Sequence, residues 1–275
     1  MTPRKEPSPQ TRIEREEFAR GHIEPGETPV PPRPAATSVV ARPLGAAGEF
    51  EVLLLERPAT ARFAAGAFVF PGGVVDPDDG SPFFADRLPH VTEAERPPLV
   101  AALRELFEET GLLLSEELPA AGDPAVGTAA RDMRAGRADL LAGRTRFADI
   151  VRSMDLSFAA ARVAYFARWV TPATYTRRYD TRFFFAIAPN PNAEISLTRE
   201  HVSAAWLTPF VALSRFRTGG LPMLFPTWKT LEGLAELGTL AETIGALERK
   251  VVRSVIPRLE MRDGALMPVL PEDDG

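Results

Sequence analysis

Three acidic side chains are spaced so that they could bind one divalent cation together. Glu105, Glu108 and Glu109 lie in the apolar run 99–114, whose periodicity predicts a helix. Because Glu108 and Glu109 follow Glu105 by three and four residues, all three carboxylates project from one helical face. Like charges at this spacing repel each other, and a hard divalent cation would convert that repulsion into binding. The alternative interpretation is a solvated acidic face, which charge runs usually form.

The residues around these glutamates favour the cation-binding interpretation. Arg104 precedes the first glutamate, and Gly111 follows the last one, where we expect it to cap the end of the helix. Upstream, the tetrapeptide Phe-Pro-Gly-Gly at 70–73 predicts a tight turn whose backbone must approach another group closely. A glycine turn followed by an acidic helix therefore indicates a functional site.

The elements that must position these residues alternate without a clean βαβ rhythm. Strands are predicted at 37–43, 51–56, 162–170, 178–188 and 201–207, with a final hairpin at 252–261 and 266–270. Residues 67–75 are a further apolar run, broken by the turn at 71–73. Helices are predicted at 13–19, 97–111, 147–154, 209–217, 226–237 and 240–250, with helical pieces within 115–145. This order predicts an α+β protein with a mixed sheet between helices. Asp180 and Arg182 share a strand face, where we expect a charge network between strands rather than substrate contact.

The composition excludes several classes of site and partner. The chain has 275 residues, 45% of them hydrophobic, and a net charge of −5, which argues against nucleic-acid binding. The absence of cysteine excludes disulfides, thiolate metal sites and cysteine nucleophiles. The N-terminal residues have no apolar core like that of a signal peptide, and we expect a cytoplasmic protein with no membrane contact. Residues 1–35 are rich in proline and predict a flexible arm, and residues 36–275 predict a single domain.

The glycine turn and the acidic helix resemble the box of the Nudix hydrolase family. That box reads Gly, five residues, Glu, seven residues, then Arg-Glu-apolar-x-Glu-Glu-x-Gly-apolar. Gly73 matches the first glycine, and residues 104–112 match the second half at every specified position. The first half departs from the pattern, because Asp79 stands in place of the glutamate. In addition, 24 residues separate Asp79 from Arg104 where seven are expected, which places an insertion at about 80–96.

The insertion leaves one pairing open. The acid that should neutralise the Arg104 guanidinium can be Asp79, Glu93 or Glu95.

The resemblance implies a fold and a set of roles. The fold would be a Nudix-type α/β/α sandwich, in which a loop–helix–loop binds Mg²⁺ or Mn²⁺. By the same resemblance, Glu105 and Glu109 would be direct ligands and Glu108 a third or water-mediated one, while Arg104 would orient the site by ion pairing. The amides of Gly72 and Gly73 would lie near metal or phosphate. The general base varies in this family, so one of these glutamates or a later loop acid could serve.

A second pattern resembles the coenzyme A diphosphatases of the same family. These carry Leu-Leu-Thr-x-Arg-(Ser/Ala), three residues, Arg, three, Gly, three, then Phe-Pro-Gly-Gly. Here Arg57, Arg62, Gly66 and Phe70 keep the spacing, while leucine replaces the threonine and proline replaces the Ser or Ala. Two arginines near a diphosphate site suit a substrate with additional phosphate charge. Exposed hairpin charges are the alternative reading. The segment at 177–184 is similar to one in the acyl-CoA branch that has an enlarged box.

The favoured hypothesis is therefore a metal-dependent diphosphatase of coenzyme A or acyl-CoA. Phe70, Gly72 and Gly73 would join Arg57 and Arg62 in binding this small nucleoside diphosphate substrate. One alternative is hydrolysis of another derivative, such as ADP-ribose, NADH or a nucleotide sugar. A third hypothesis is a Nudix fold that senses a ligand without turnover. A homodimer is compatible with the sequence.

Overall fold

A mixed eight-stranded sheet organises the chain. The computed structural model describes residues 21–23, 28–115, 126–158, 163–188, 190–192, 194–262 and 265–271, so the predicted helix at 13–19 lies outside them. The strands are β1 Arg33–Leu44, β2 Glu49–Glu56, β3 Phe68–Val69, β4 Gly72–Val74, β5 Val163–Val170, β6 Tyr179–Ile187, β7 Ser203–Leu207, β8 Ser254–Val255, β9 Arg258–Arg262 and β10 Ala265–Val269. The helices are α1 Arg96–Thr110, α2 Val126–Leu141, α3 Phe147–Ser153, α4 Pro209–Arg217, α5 Phe225–Glu236 and α6 Leu240–Glu248.

Strand β1 is the centre of the sheet. The strand order is β3-β2-β1-β6-β5-β8, with β4 added to β1 and β7 added to β2. β1 runs parallel to β6 and antiparallel to β2 and β4, which gives the mixed sheet that was predicted. Its residues from Ala35 to Ala41 are mostly buried on both faces, as expected for a strand with helices on either side. The short strand β4 carries the glycine turn and pairs with the N-terminal half of β1.

Two apolar layers pack on opposite faces of this sheet. Successive strand residues point to opposite faces, so Leu53 faces α1 and α3, whereas Leu54 faces α4, α5 and α6. The helices close both layers, which confirms the predicted α/β/α sandwich. Within the described part of the chain, no helix has both the length and the apolar character that crossing a membrane requires.

Helix α1 begins and ends where its sequence signals predict. Prolines occupy its first turn, where missing N–H groups cost little. Gly111 caps its end with φ of 77°, and its N–H donates to the carbonyl of Phe107 at 2.9 Å. Apolar residues on the inner face, such as Leu103 and Leu106, are almost fully buried. The helix is therefore fixed against the sheet on the side that carries β4.

The insertion between the turn and the helix is part of the core. It contains two short 3₁₀ turns, Pro77–Gly80 and Pro82–Phe84. Phe84 is 1% exposed and stacks on Phe147 of α3 at 6.1 Å between ring centroids. The predicted irregular structure is confirmed, but the segment is packed into the apolar layer rather than looped out.

Three sequence expectations need correction. The first strand begins at Arg33 rather than at the predicted residue 37, because the backbone of 33–35 already pairs with β6. The first strand of the predicted final hairpin is divided, since β8 joins the main sheet beside β5 while β9 pairs with β10. Their predicted turn at 263–264 lies outside the described residues.

The third correction concerns the predicted network on β6. Asp180 accepts two hydrogen bonds from Arg168 of the neighbouring strand β5, at 2.7 and 2.6 Å, rather than pairing with Arg182. Arg182 instead donates to the carbonyl of Ala94 at 3.2 Å. The network does join strands, as expected, but its cation comes from β5.

Candidate functional site

Arg104 joins the glycine turn to the acidic helix. Its Nε and Nη2 atoms donate to the two carboxylate oxygens of Asp79, both at 2.9 Å. Nη2 also donates to the carbonyl of Val74 at 2.9 Å. Burial by itself lowers the pKa of Arg104, but the hydrogen bonds that it donates to Asp79 and the nearby carboxylate charges raise the pKa above its ordinary value. The guanidinium is therefore a permanent buried cation.

Asp79 is thus the acid that the sequence left open. It is 2% exposed, whereas Glu95 accepts a hydrogen bond from Thr92 at 2.7 Å on the surface, and Glu93 is exposed. The 3₁₀ turn explains how an aspartate replaces the longer glutamate of the family pattern. The Asp76 amide donates to Asp79 Oδ2 at 2.8 Å and thereby holds this carboxylate toward the helix.

The two glycines of the turn pack closely against other atoms of the site. Gly72 donates its N–H to Glu109 Oε2 at 3.0 Å, so this amide holds a carboxylate. A Cβ at Gly73 would overlap the carboxylate of Glu105, and a Cβ at Gly72 would overlap the backbone of β1 at the Ala36 carbonyl. Backbone thus excludes a side chain at Gly72, whereas a side chain at Gly73 would displace the Glu105 carboxylate.

Of the two predicted direct ligands, Glu109 is buried and Glu105 is partly buried. Glu109 is 5% exposed, and burial followed by the charge of Glu105 raises its pKa well above the usual range. Burial also raises the pKa of Glu105 to about 7, although Arg104 Nη1 donates to its Oε1 at 2.9 Å and lowers the pKa. Glu108 lies at 3.4 Å from Arg104, and burial raises its pKa as well.

This donor set fits a hard divalent cation. Buried carboxylates with raised pKa values gain from positive charge, and oxygen is the donor that Mg²⁺ and Mn²⁺ prefer. Among the described residues, however, no three His, Asp or Glu side chains already converge as a complete ligand set. Glu105 and Glu108 turn toward Arg104 instead. Mg²⁺ commonly binds through one or two carboxylates, with waters and substrate phosphates completing its coordination.

A cleft opens beside the glycine turn. It has a volume of about 770 Å³, and its lining includes all five predicted substrate-binding residues, namely Arg57, Arg62, Phe70, Gly72 and Gly73. Arg57 is partly engaged, because its Nε donates to the carbonyl of Phe63 at 3.0 Å. The structure therefore brings the arginine pattern and the glycine turn together, with the carboxylates directly behind the turn.

Sequence reasoning missed three residues that meet this site. His201 is 4% exposed, and its Nε2 lies 3.7 Å from Glu109 Oε1. Burial first, and the charge of Arg57 second, lower its pKa to about 4. The charge of Glu200, an exposed acid in the same loop, contributes to the raised pKa of Glu109.

The third residue is Arg137 of α2, which donates to the Glu108 carbonyl at 2.8 Å and so caps the last turn of α1. No local motif marks these residues. Only the pairing of β7 with β2, which sets Ser203 beside Glu56, indicates that the loop before β7 reaches the site.

The comparisons with known proteins agree with this geometry. The model described as the NUDIX domain matches residues 31–134, and the model described as the NUDT19 Nudix domain matches residues 97–232. The crystal structure of a NUDIX hydrolase from Alicyclobacillus acidocaldarius shares 32% identity and superimposes with a TM-score of 0.62, covering 79% of this chain and 97% of that chain. The chain belongs to the Nudix hydrolase family, a class of diphosphate hydrolases.

Curated relatives point to one branch of the family. The putative nudix hydrolase 7 of Caenorhabditis elegans is 30% identical over 160 residues, which cover 58% of this chain and 46% of that protein. The chain therefore spans less than half of that relative's length. The human acyl-coenzyme A diphosphatase NUDT19 is 26% identical over 251 residues, covering 76% of this chain and 67% of that protein. The chain thus resembles the coenzyme A branch at low identity.

Removal of the Asp79 carboxylate should destabilise the whole domain. Asp79→Ala leaves the buried Arg104 guanidinium without its bidentate partner, and we expect a loss of about 3–5 kcal/mol in the free energy of unfolding. The matched control is Glu93→Ala, which removes an exposed acid of the same insertion. Urea unfolding monitored by circular dichroism measures both variants. Equal losses for the two would contradict the assignment of Asp79 as the partner.

Alanine substitutions at Gly72 and Gly73 should have different effects, one on stability and the other on activity. In Gly73→Ala the new Cβ meets the mobile end of Glu105, so we expect a folded protein with activity lowered by about 10- to 100-fold. In Gly72→Ala the clash is with β1 backbone, so we expect a clear loss of melting temperature. Gly80→Ala is the control, since its Cβ would meet Pro97 at an ordinary 3.9 Å. A Gly73→Ala variant with full activity would contradict this reading.

The metal-free protein should lose stability as the pH rises above 6.5. The pKa of Glu105 in the folded chain is about 7, above the ordinary value of 4.5, so the folded state retains a proton that the unfolded state has lost. Burial of His201 acts in the opposite direction only below pH 6.5, where the unfolded imidazole becomes charged. Melting temperatures in EDTA from pH 6.5 to 8.5 should therefore fall. Glu105→Gln should reduce the slope, whereas the exposed control Glu236→Gln should leave it unchanged.

Proposed function

We propose that this chain is a metal-dependent hydrolase that cleaves the diphosphate linkage of coenzyme A or acyl-CoA. The products would be a phosphopantetheine and adenosine 3′,5′-bisphosphate. The observation that carries the proposal is one cleft in which Arg57 and Arg62 face the same turn that Glu105 and Glu109 support. The similarity to acyl-coenzyme A diphosphatases adds to it. We also propose that residues 36–275 form one domain that contains the whole site.

Each side chain of the site has a role in this proposal. Glu105 and Glu109 would hold Mg²⁺ or Mn²⁺, and Glu108 would act as a third ligand or through water. When bound, the cation neutralises phosphate charge and lowers the pKa of a bound water. Arg104 keeps the glutamates in place by ion pairing with Asp79 and Glu105. An acid with access to solvent, such as Glu200 in the adjacent loop, could accept the proton of the attacking water.

The lining of the cleft supports a substrate that has both charged and apolar parts. Besides Arg57 and Arg62, the lining includes apolar side chains from several elements of the fold. Those side chains belong to Trp169, Phe225, Pro257 and Pro268.

Charged and apolar side chains thus line the same cleft. The arginines suit the phosphates of the nucleotide, since guanidinium groups bind phosphate in a bidentate manner. The apolar side chains suit a pantetheine arm or an acyl chain, which gains by leaving water.

A substrate panel tests the proposal directly. Purified protein with Mg²⁺ or Mn²⁺ is incubated with coenzyme A, acyl-CoA esters, ADP-ribose and NADH, and the products are identified by mass spectrometry. We expect adenosine 3′,5′-bisphosphate from coenzyme A or its esters as the fastest reaction. Intact coenzyme A beside rapid cleavage of another diphosphate would overturn the substrate assignment.

Substitution of Arg62 tests which residues select the substrate. Arg62→Ala should raise KM for coenzyme A more than for ADP-ribose, because coenzyme A carries an additional phosphate. The control is Arg144→Ala, which removes an exposed arginine paired with Asp139 outside the cleft. An equal change of KM for both substrates would assign Arg62 to the hairpin surface rather than to selection.

Glu109→Gln distinguishes an enzyme from a ligand sensor. Loss of an outer partner of a metal site costs about 10–100-fold, so loss of a direct ligand should lower kcat/KM by at least about 100-fold. A sensor without turnover would show no hydrolysis in either form and would bind its ligand with similar affinity in both. Isothermal titration with a non-hydrolysable analogue of coenzyme A measures that affinity.

A further inference from the structure

His201 is a buried polar group with an unmet hydrogen-bonding requirement. Its side chain is fully buried, and neither ring nitrogen has a hydrogen-bond partner within the described residues. Native proteins rarely bury such groups unpaired, because each costs about 1–3 kcal/mol. The Glu109 carboxylate is close by, since its Oε1 lies 3.7 Å from His201 Nε2. A shift of about 0.7 Å would bring this pair to ordinary hydrogen-bond length.

The loop that carries His201 is tied down at both ends. At one end, the Ser196 amide donates to the carbonyl of Thr110, the last residue of α1, at 2.8 Å. Arg137 strengthens this end, since its Nη2 donates to the carbonyls of both Glu108 and Ser196, at 2.8 and 2.6 Å.

At the other end, the Val202 amide donates to the carbonyl of Glu56 at the end of β2, at 2.8 Å. Ser203 Oγ adds a second bond, to the Glu56 carboxylate at 2.6 Å. His201 is therefore held against α1 by backbone contacts on both sides.

The imidazole can serve as the donor in this contact. A histidine ring carries at least one N–H, which can donate to a carboxylate oxygen. Glu109 remains free to interact with a cation through its other lone pairs.

We propose that His201 is a positioning residue that donates its Nε2–H to Glu109 Oε1 and fixes the carboxylate for cation binding. Gly72 already holds the other oxygen, Oε2, at 3.0 Å. The two donors together would define the rotation of the carboxylate about its last bond. The inference rests on the proposed role of Glu109 as a metal ligand.

Two kinds of variant separate a positioning role from a packing role. His201→Gln keeps an N–H donor at a similar reach, whereas His201→Leu fills the space with an apolar side chain. Free Mn²⁺ is measured by electron paramagnetic resonance during titration of the metal-free protein, with no substrate present. We expect His201→Leu to raise the dissociation constant for Mn²⁺ by about 10–100-fold and His201→Gln to keep it within about threefold of the wild type.

The remaining outcomes are also decisive. Melting temperatures in EDTA establish that each variant is folded, and His201→Met replaces His201→Leu if the leucine variant is not. Glu109→Gln is measured in parallel as the reference.

Wild-type affinity for Mn²⁺ in every His201 variant, with lost affinity in Glu109→Gln, would overturn the role of His201 alone. Wild-type affinity in Glu109→Gln as well would overturn the metal role of Glu109, and with it the proposed function. Equal loss in the Gln and apolar variants would contradict the donor role.

Discussion

The buried pair of Arg104 and Asp79 is the interaction on which the rest of the site depends. It connects the 3₁₀ turn that follows β4 with the third turn of the glutamate helix, so two distant pieces of chain act as one site. The same guanidinium holds the Val74 carbonyl and the Glu105 carboxylate. One cation thus sets the distance between the glycine turn and the carboxylates. A lysine could not replace it, because only the planar guanidinium offers donors in several fixed directions.

The arrangement of carboxylates in the site destabilises the fold locally, which indicates that it is retained for function. Glu109 is buried and Glu105 is partly buried beside it, and each has one arginine among the partners described for it, Arg57 for Glu109 and Arg104 for Glu105. Burial nevertheless raises the pKa of both carboxyls. Gly72 and Gly73 give up side chains so that strand and carboxylates can approach. A protein selected only for stability would replace such residues with apolar ones. The strain is retained at a place where a cation and a diphosphate would relieve it.

The sequence predicts the parts of this structure that depend on local chemistry. Prolines at 97 and 98 and the glycine at 111 define the glutamate helix, and alternating apolar residues define most of the strands. The contacts that the sequence could not predict depend on how the strands and the insertion pack in the folded protein. Asp79, Glu93 and Glu95 are equivalent partners for Arg104 until the insertion is folded. Asp180 finds Arg168 only when β5 pairs with β6, and His201 reaches Glu109 only when β7 pairs with β2. No pattern along the chain contains that information.

The packed insertion has a consequence for how such sites evolve. Closing a loop of 24 residues rather than seven costs only about 1 kcal/mol of additional chain entropy, because this cost grows with the logarithm of length. Loss of the Arg104–Asp79 pair would cost about 3–5 kcal/mol. The number of residues between the glycine turn and the glutamate helix can therefore change at little cost in stability, provided that an acidic residue still pairs with the Arg104 guanidinium. A motif search that requires a fixed gap would therefore miss this site, although its residues come together in the folded protein.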